Sequence, residues 1–224
     1  MPRAFHLPGV FFLFCAFALL FLVSLSLPYL PAIDIARVHF EGSPTTNDAA
    51  LTELRYGIWS YCWYVTGGQR YCSAKGHGYF TVVYNSDRTS WQTVGASWTR
   101  GLAIHPVACG LAFVAFVLSL STQITVALLA ALASFLAALL TLIAFAIDIA
   151  LYVYVKHQMR KLTGVIEHTS TAPAFWMTFA AFILLCLAGC TVCFGRRRDR
   201  MAGATSYPMA PKKLSWRDKF KLRR

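Results

Sequence analysis

Two cysteines ten positions apart, Cys62 and Cys72, close a segment that opens Gly57-Ile58-Trp59-Ser60-Tyr61-Cys62. The chemistry open to such a pair is oxidation. The other five cysteines lie in apolar runs, which leaves these two as each other's natural partners. A disulfide across a loop of this size stabilises a fold by roughly 3 kcal/mol in the chain-entropy picture. Two uses compete for it: a pinned recognition loop, and a staple for a small sheet with no binding role. A second candidate is Asp148, the one acid inside an apolar stretch. A carboxylate within a membrane is costly and is a functional position by default. Counted from the turn at Thr122, Asp148 stands roughly 39 Å up its helix, and Arg100 and His105 stand roughly 32 and 25 Å up the facing one. Height therefore makes Arg100 the predicted partner in an outer-rim ion pair, with a proton or ligand site at Asp148 as the alternative. His105-Pro106 reads as a helix entrance.

Nothing in the chain assembles a reaction centre. The six histidines and seven cysteines lack the clustered spacing of a zinc site. No nucleophile elbow, phosphate-binding loop, metalloprotease helix or dinucleotide fingerprint occurs. The expectation is a protein that is not an enzyme, with no cofactor, no metal, no small-molecule substrate and no nucleic-acid partner.

The elements that must position these residues are membrane spans. Hydrophobic residues make up 57% of the 224 and charged residues only 13%, about half the charged share of soluble domains. Four apolar runs are long enough for a bilayer core, at about 9–30, 102–120, 124–155 and 174–194. The first is longer than a signal-peptide core and offers only a weak cleavage site at Ser24-Leu25-Ser26, so it reads as an uncleaved anchor. Between Arg196 and Arg224 there are eleven Lys or Arg against two acids. That bias predicts a cytoplasmic tail, hence both termini inside and the loop 31–101 outside. Lys156, Arg160 and Lys161 in the second outer loop pull weakly the other way. The organisation is a membrane domain, 1–195, followed by a basic tail, 196–224.

The large outer loop is nearly neutral. Residues 78–84 and 34–40 read as strands, and 56–65 with 69–73 as a hairpin around Gly67-Gly68 that contains both cysteines. In the third span Ala130, Ser134 and Ala138 recur at four-residue spacing, a period that lets helix backbones approach closely in lipid. The face serves packing within the bundle or association with another membrane protein. Cys190 and Cys193 precede Arg196-Arg197-Arg198 and are candidate palmitoylation sites, or simply small apolar residues. Trp216 and Phe220 alternate with basic residues, so the tail is expected to lie on an anionic inner leaflet.

Taken in order, these pieces resemble the pali family of fungal tetraspan proteins of ambient-pH signalling, related to the eisosome tetraspans. The resemblance rests on Gly57-Ile58-Trp59-Ser60-Tyr61-Cys62, Cys72-Ser73, Gly78-Tyr79, Leu102-Ala103-Ile104-His105-Pro106, residues 144–152, Ala172-Pro173-Ala174-Phe175-Trp176 and Gly195-Arg196-Arg197-Arg198. The Gly-Ile-Trp and two-cysteine piece is also similar to the claudin signature, and Arg100 stands where claudins carry an arginine. The resemblance implies an all-α membrane fold, a four-helix transmembrane bundle under a small extracellular antiparallel β-sheet that Cys62–Cys72 bridges. It also implies a plasma-membrane accessory to a receptor-like integral membrane protein that senses ambient pH. The rival functions are an organiser of membrane patches or cell wall and a small transporter or channel through Asp148. Two departures stand out: the tail is short, and the polar stretch Ser43–Asp48 has no counterpart.

Overall fold

The computed structural model describes residues 6–42, 44–46, 49–121 and 123–205. Four helices long and apolar enough to cross a membrane form a bundle with an antiparallel sheet at one end. Helix α1 (His6–Ser24) carries no charged side chain and ends just before Pro28, whose ring cannot continue it. The chain then builds β1 (Ala36–Glu41), β2 (Thr45–Thr46), β3 (Ala49–Tyr56), β4 (Tyr61–Val65), β5 (Arg70–Cys72), β6 (Thr81–Tyr84) and β7 (Trp91–Val94). A short helix α2 (Ala96–Thr99) and a 3-10 turn (Arg100–Ala103) lead back into α3 (Ile104–Ser119). Helix α4 (Ile124–Met159) returns to the sheet, β8 (Ile166–Thr171) joins it, and α5 (Pro173–Thr205) recrosses the bundle.

The sheet is forked. One branch runs β8–β1–β3–β4–β5, and the other leaves the start of β3 through β2 to β6 and β7. The hairpin β4–β5 turns at Gly67 and Gly68, both at positive φ, a conformation that side chains with a Cβ resist. Strand β3 had no strand signature, because Ala49-Ala50-Leu51-Thr52-Glu53-Leu54-Arg55-Tyr56 is rich in helix formers. Its pairing on both sides overrides that preference. Strand β8 is polar and lies in the second loop, so only its register with β1 reveals it.

Two cores hold the molecule. Val38, Leu54, Tyr56 and Ile58 of the sheet pack onto Leu151, Val155 and Met159 at the end of α4. Inside the bundle the contacts are small: Ala16, Ala112, Ala115, Ala137, Ala138, Ala181 and Ala188 are all buried. In lipid, where exclusion of water from between helices drives nothing, such close approach is what binds helices together. The predicted small-residue face belongs to this layer. Ala130, Ser134 and Ala138 are buried, and the Ser134 hydroxyl donates to the Leu185 carbonyl of α5 at 3.4 Å. The face packs the chain against itself.

Candidate functional site at the joint of sheet and bundle

The signature residues converge where the sheet meets α1. Cys62 and Cys72 face each other in the β4–β5 register and are disulfide-bonded. Just before β4, Gly57 packs against Leu27, so closely that an added Cβ would lie 2.5 Å from the Leu27 Cβ. The Ile58 amide donates to Ser26 Oγ at 3.0 Å, and the Trp59 indole donates to the Ser24 carbonyl at 2.7 Å. The Ser24 carbonyl lies at the end of α1, where carbonyls have no partner within the helix, and the Ser26 hydroxyl lies in the turn that follows. Across the loop, the Tyr79 hydroxyl donates to the Gly57 carbonyl at 2.6 Å, and Thr99 Oγ1 donates to the Tyr79 carbonyl at 2.7 Å. Gly78, at φ +86, lies against the Arg100 side chain, which leaves no room there for a Cβ. Tyr61 packs between the rings of Trp63 and Tyr79. Burial raises the Tyr79 hydroxyl well above the ordinary phenol range, and it raises Tyr56 likewise.

The acid within the membrane has a different neighbour from the predicted one. Asp148 Oδ2 lies 3.2 Å from His105 Nε2, both side chains fully buried. His105 Nδ1 is 3.0 Å from the Leu102 carbonyl, and Thr178 of α5 stands 3.5 Å from His105 Nε2. Asp148 Oδ1 has no hydrogen-bond partner among the described residues. This corrects the Arg100–Asp148 ion pair. Height ranked the candidates, but azimuth decides the contact, and Arg100 lies in a 3-10 turn to which the α-helical count from His105 does not extend. His105 turns into the bundle, whereas Arg100 is exposed in the 3-10 turn beside Gly78. The arrangement links α3, α4 and α5 about one turn below the start of α5. It is a tie between helices, with neither group open to solvent.

A third polar set was missed altogether. Buried Asp34 accepts from Arg37 Nη2 at 2.8 Å and from Nε at 3.0 Å, and its carbonyl accepts from the Ala174 amide at the start of α5. Glu53 lies between Arg37 Nε at 3.3 Å and Arg55 Nε at 2.7 Å. Arg55 reaches on to the Pro31 carbonyl and sits over the Tyr64 ring. The signal available in sequence was Asp34 three residues before Arg37, but nothing there indicates that β1 and β3 would be neighbours.

Among the described residues, no group of three or more His, Cys, Asp or Glu is placed to hold a metal. Cys190 is a free, exposed cysteine on α5. Cys193 and Arg196–Arg198 continue that helix, but their side chains are outside the described set, as are Trp216 and Phe220. Ser43, Asn47 and Asp48 of the unmatched polar stretch are also outside it.

The sequence matches the SUR7/PalI family over residues 5–188. The match takes in three whole spans, most of the fourth and the whole sheet, and the chain belongs to that family as a tetraspan, multi-pass membrane protein. No curated protein matches it.

Proposed function

We propose that this SUR7/PalI-family tetraspan is a non-enzymatic accessory subunit that holds an ambient-pH-sensing receptor complex at the fungal plasma membrane. In this reading the sheet faces outward and both termini are cytoplasmic. Family membership supports the first part, and the eleven basic residues of the tail support the orientation. A disulfide-stapled sheet suits the oxidising side of the membrane.

One observation carries the reading. The signature side chains are engaged in joining sheet to bundle and the buried His105–Asp148 pair in tying helices together, which supports a scaffolding role for the joint. One surface open to a partner in the membrane is the outward ridge of α4. There Leu128, Leu132, Phe135, Leu139 and Leu142 are exposed at alternating four- and three-residue spacing, the period of a helix–helix seam. Replacing Leu132, Phe135 and Leu139 together by Ala is expected to reduce recovery of the receptor with the tagged protein and to lower receptor at the cell surface. Unchanged recovery at equal surface level would sink the reading. A patch organiser, the second reading supported by the same family, predicts stable clustered foci and normal growth on alkaline medium in a deletion strain.

A further inference from the structure

The free edge of β8 carries a groove that none of the joint's residues enters. It is open, has a volume of about 340 Å³, and is lined by His39, Lys156, Arg160, Glu167, His168, Thr169 and Ser170. Three elements bring these residues together. The β1–β8 register sets His39 directly opposite His168, so two imidazoles share one face. Lys156 and Arg160 are four apart at the end of α4 and therefore lie on one side of it. The only acid in the lining, Glu167, is already engaged: its Oε1 is 3.2 Å from Arg160 Nε, and its other oxygen accepts from Thr169.

We propose that this groove binds a phosphate ester anion. Lys156 supplies a point charge, its ammonium steadied over the Tyr152 ring at 5.7 Å. Arg160 uses only part of its guanidinium fork on Glu167, and the free N–H groups remain for an incoming oxyanion. His39 and His168 each present an N–H donor in either neutral tautomer, and Ser170 adds a hydroxyl. Glu53, 3.8 Å from His39, is itself held by Arg37 and Arg55, so it does not cancel the positive character of the groove.

Its height suggests where such an anion comes from. Trp176, 58% exposed in the first turn of α5, marks the hydrocarbon edge. His168 is three strand residues beyond Thr171, roughly 10 Å further out. The headgroup layer is roughly 5–8 Å deep on each side, so the groove opens beyond it, on the solution side. A large phosphorylated headgroup reaches it from the membrane, and a soluble phosphate ester reaches it from solution.

The test uses the full chain, with thermal unfolding as the readout. In detergent the probe is inorganic phosphate, titrated at constant ionic strength against chloride. In nanodiscs the comparison is phosphatidylcholine alone against phosphatidylcholine doped with phosphatidylinositol 4-phosphate. Stabilisation by phosphate in detergent that is lost in the Lys156→Gln/Arg160→Gln variant supports the site with a soluble ligand. Stabilisation only by phosphatidylinositol 4-phosphate, lost in the same variant, supports it with a headgroup ligand. Either way, the apparent affinity should fall by about tenfold or more, as expected for charge-assisted contacts. Glu167→Gln keeps the fold's volume and removes the competing acid, so it should tighten binding. No stabilisation by either probe, or stabilisation unchanged in the double variant, overturns the proposal.

Discussion

Pairing of Asp148 with His105 rather than Arg100 can be tested by a double-mutant cycle. Removing His105 takes away the partner of Asp148 Oδ2, while Oδ1 already has none among the described residues. Breaking a buried pair from one side costs about 3–5 kcal/mol in soluble proteins, because the remaining group is left uncompensated. In a bilayer the unfolded reference also finds partners, and measured couplings between polar groups of neighbouring helices reach only about 1.7 kcal/mol. His105→Ala and Asp148→Ala should therefore each destabilise strongly. The double variant should lose about 1–2 kcal/mol less than their sum, since the second removal takes away nothing still bonded. The assay is reversible unfolding in bicelles, followed by tryptophan fluorescence. The same cycle with Arg100→Ala and Asp148→Ala should be additive within about 0.5 kcal/mol. An additive His105–Asp148 pair, or an Arg100 coupling of equal size, would refute the assignment.

Two further outcomes probe the joint. Gly57→Ala drives a Cβ to 2.5 Å from Leu27 Cβ and 3.0 Å from its backbone nitrogen, which should cost about 1–3 kcal/mol as overpacking. Gly110→Ala in α3, with nothing within 4 Å, should be neutral or stabilising in the same melting experiment, and equal effects at the two sites would contradict the docking geometry. Tyr56 and Tyr79 have raised hydroxyl pKa values in the folded state, so the neutral form is favoured by folding. Stability of the sheet should be constant below about pH 10, the unfolded phenol value, and should fall as pH rises above it. Phenolate absorbance should show these two lagging the exposed tyrosines until near-ultraviolet circular dichroism collapses. A single smooth titration with intact dichroism would count against their burial.

How much of this was legible in the chain depended on whether the cue was local. The four spans are composition averaged over twenty residues, and they emerged within a few positions, except that α1 stops at Ser24 where the span was expected to reach residue 30, α4 runs on to Met159 and α5 to Thr205. The β4–β5 hairpin was legible because Gly67-Gly68 and the two cysteines encode both turn and register. Strands β3 and β8 were not: the residues of β3 favour helix and take strand form only between β1 and β4, and β8 is held by β1 across more than a hundred residues. Helix-forming Ala49–Tyr56 becomes a strand only because its neighbours supply both ladders. The site was half legible. Asp148 drew notice as a misplaced carboxylate, but its partner depended on which way side chains turn about α3, and a count of heights carries no such information.

The signature explains the fold better than it explains recognition. Trp59 and Ile58 cap the end of α1, Gly57 permits the approach, Tyr79 bonds back to Gly57, and Cys62–Cys72 fixes the strand that follows. Substitution of any of these residues therefore acts on the seating of the sheet over the helices, and a loss of partner binding in such a variant says nothing about contact. Contact has to be sought on surfaces the joint leaves free: the outward ridge of α4 in the membrane and the basic groove along β8 above it. These two surfaces share α4, whose far end carries Lys156 and Arg160 and whose middle carries Asp148. An anion seated in the groove and a helix packed on the ridge would thus bear on one rigid element tied to α3 and α5 through His105. Disturbing that tie with His105→Ala should weaken both kinds of binding together, whereas Lys156→Gln should weaken only the first.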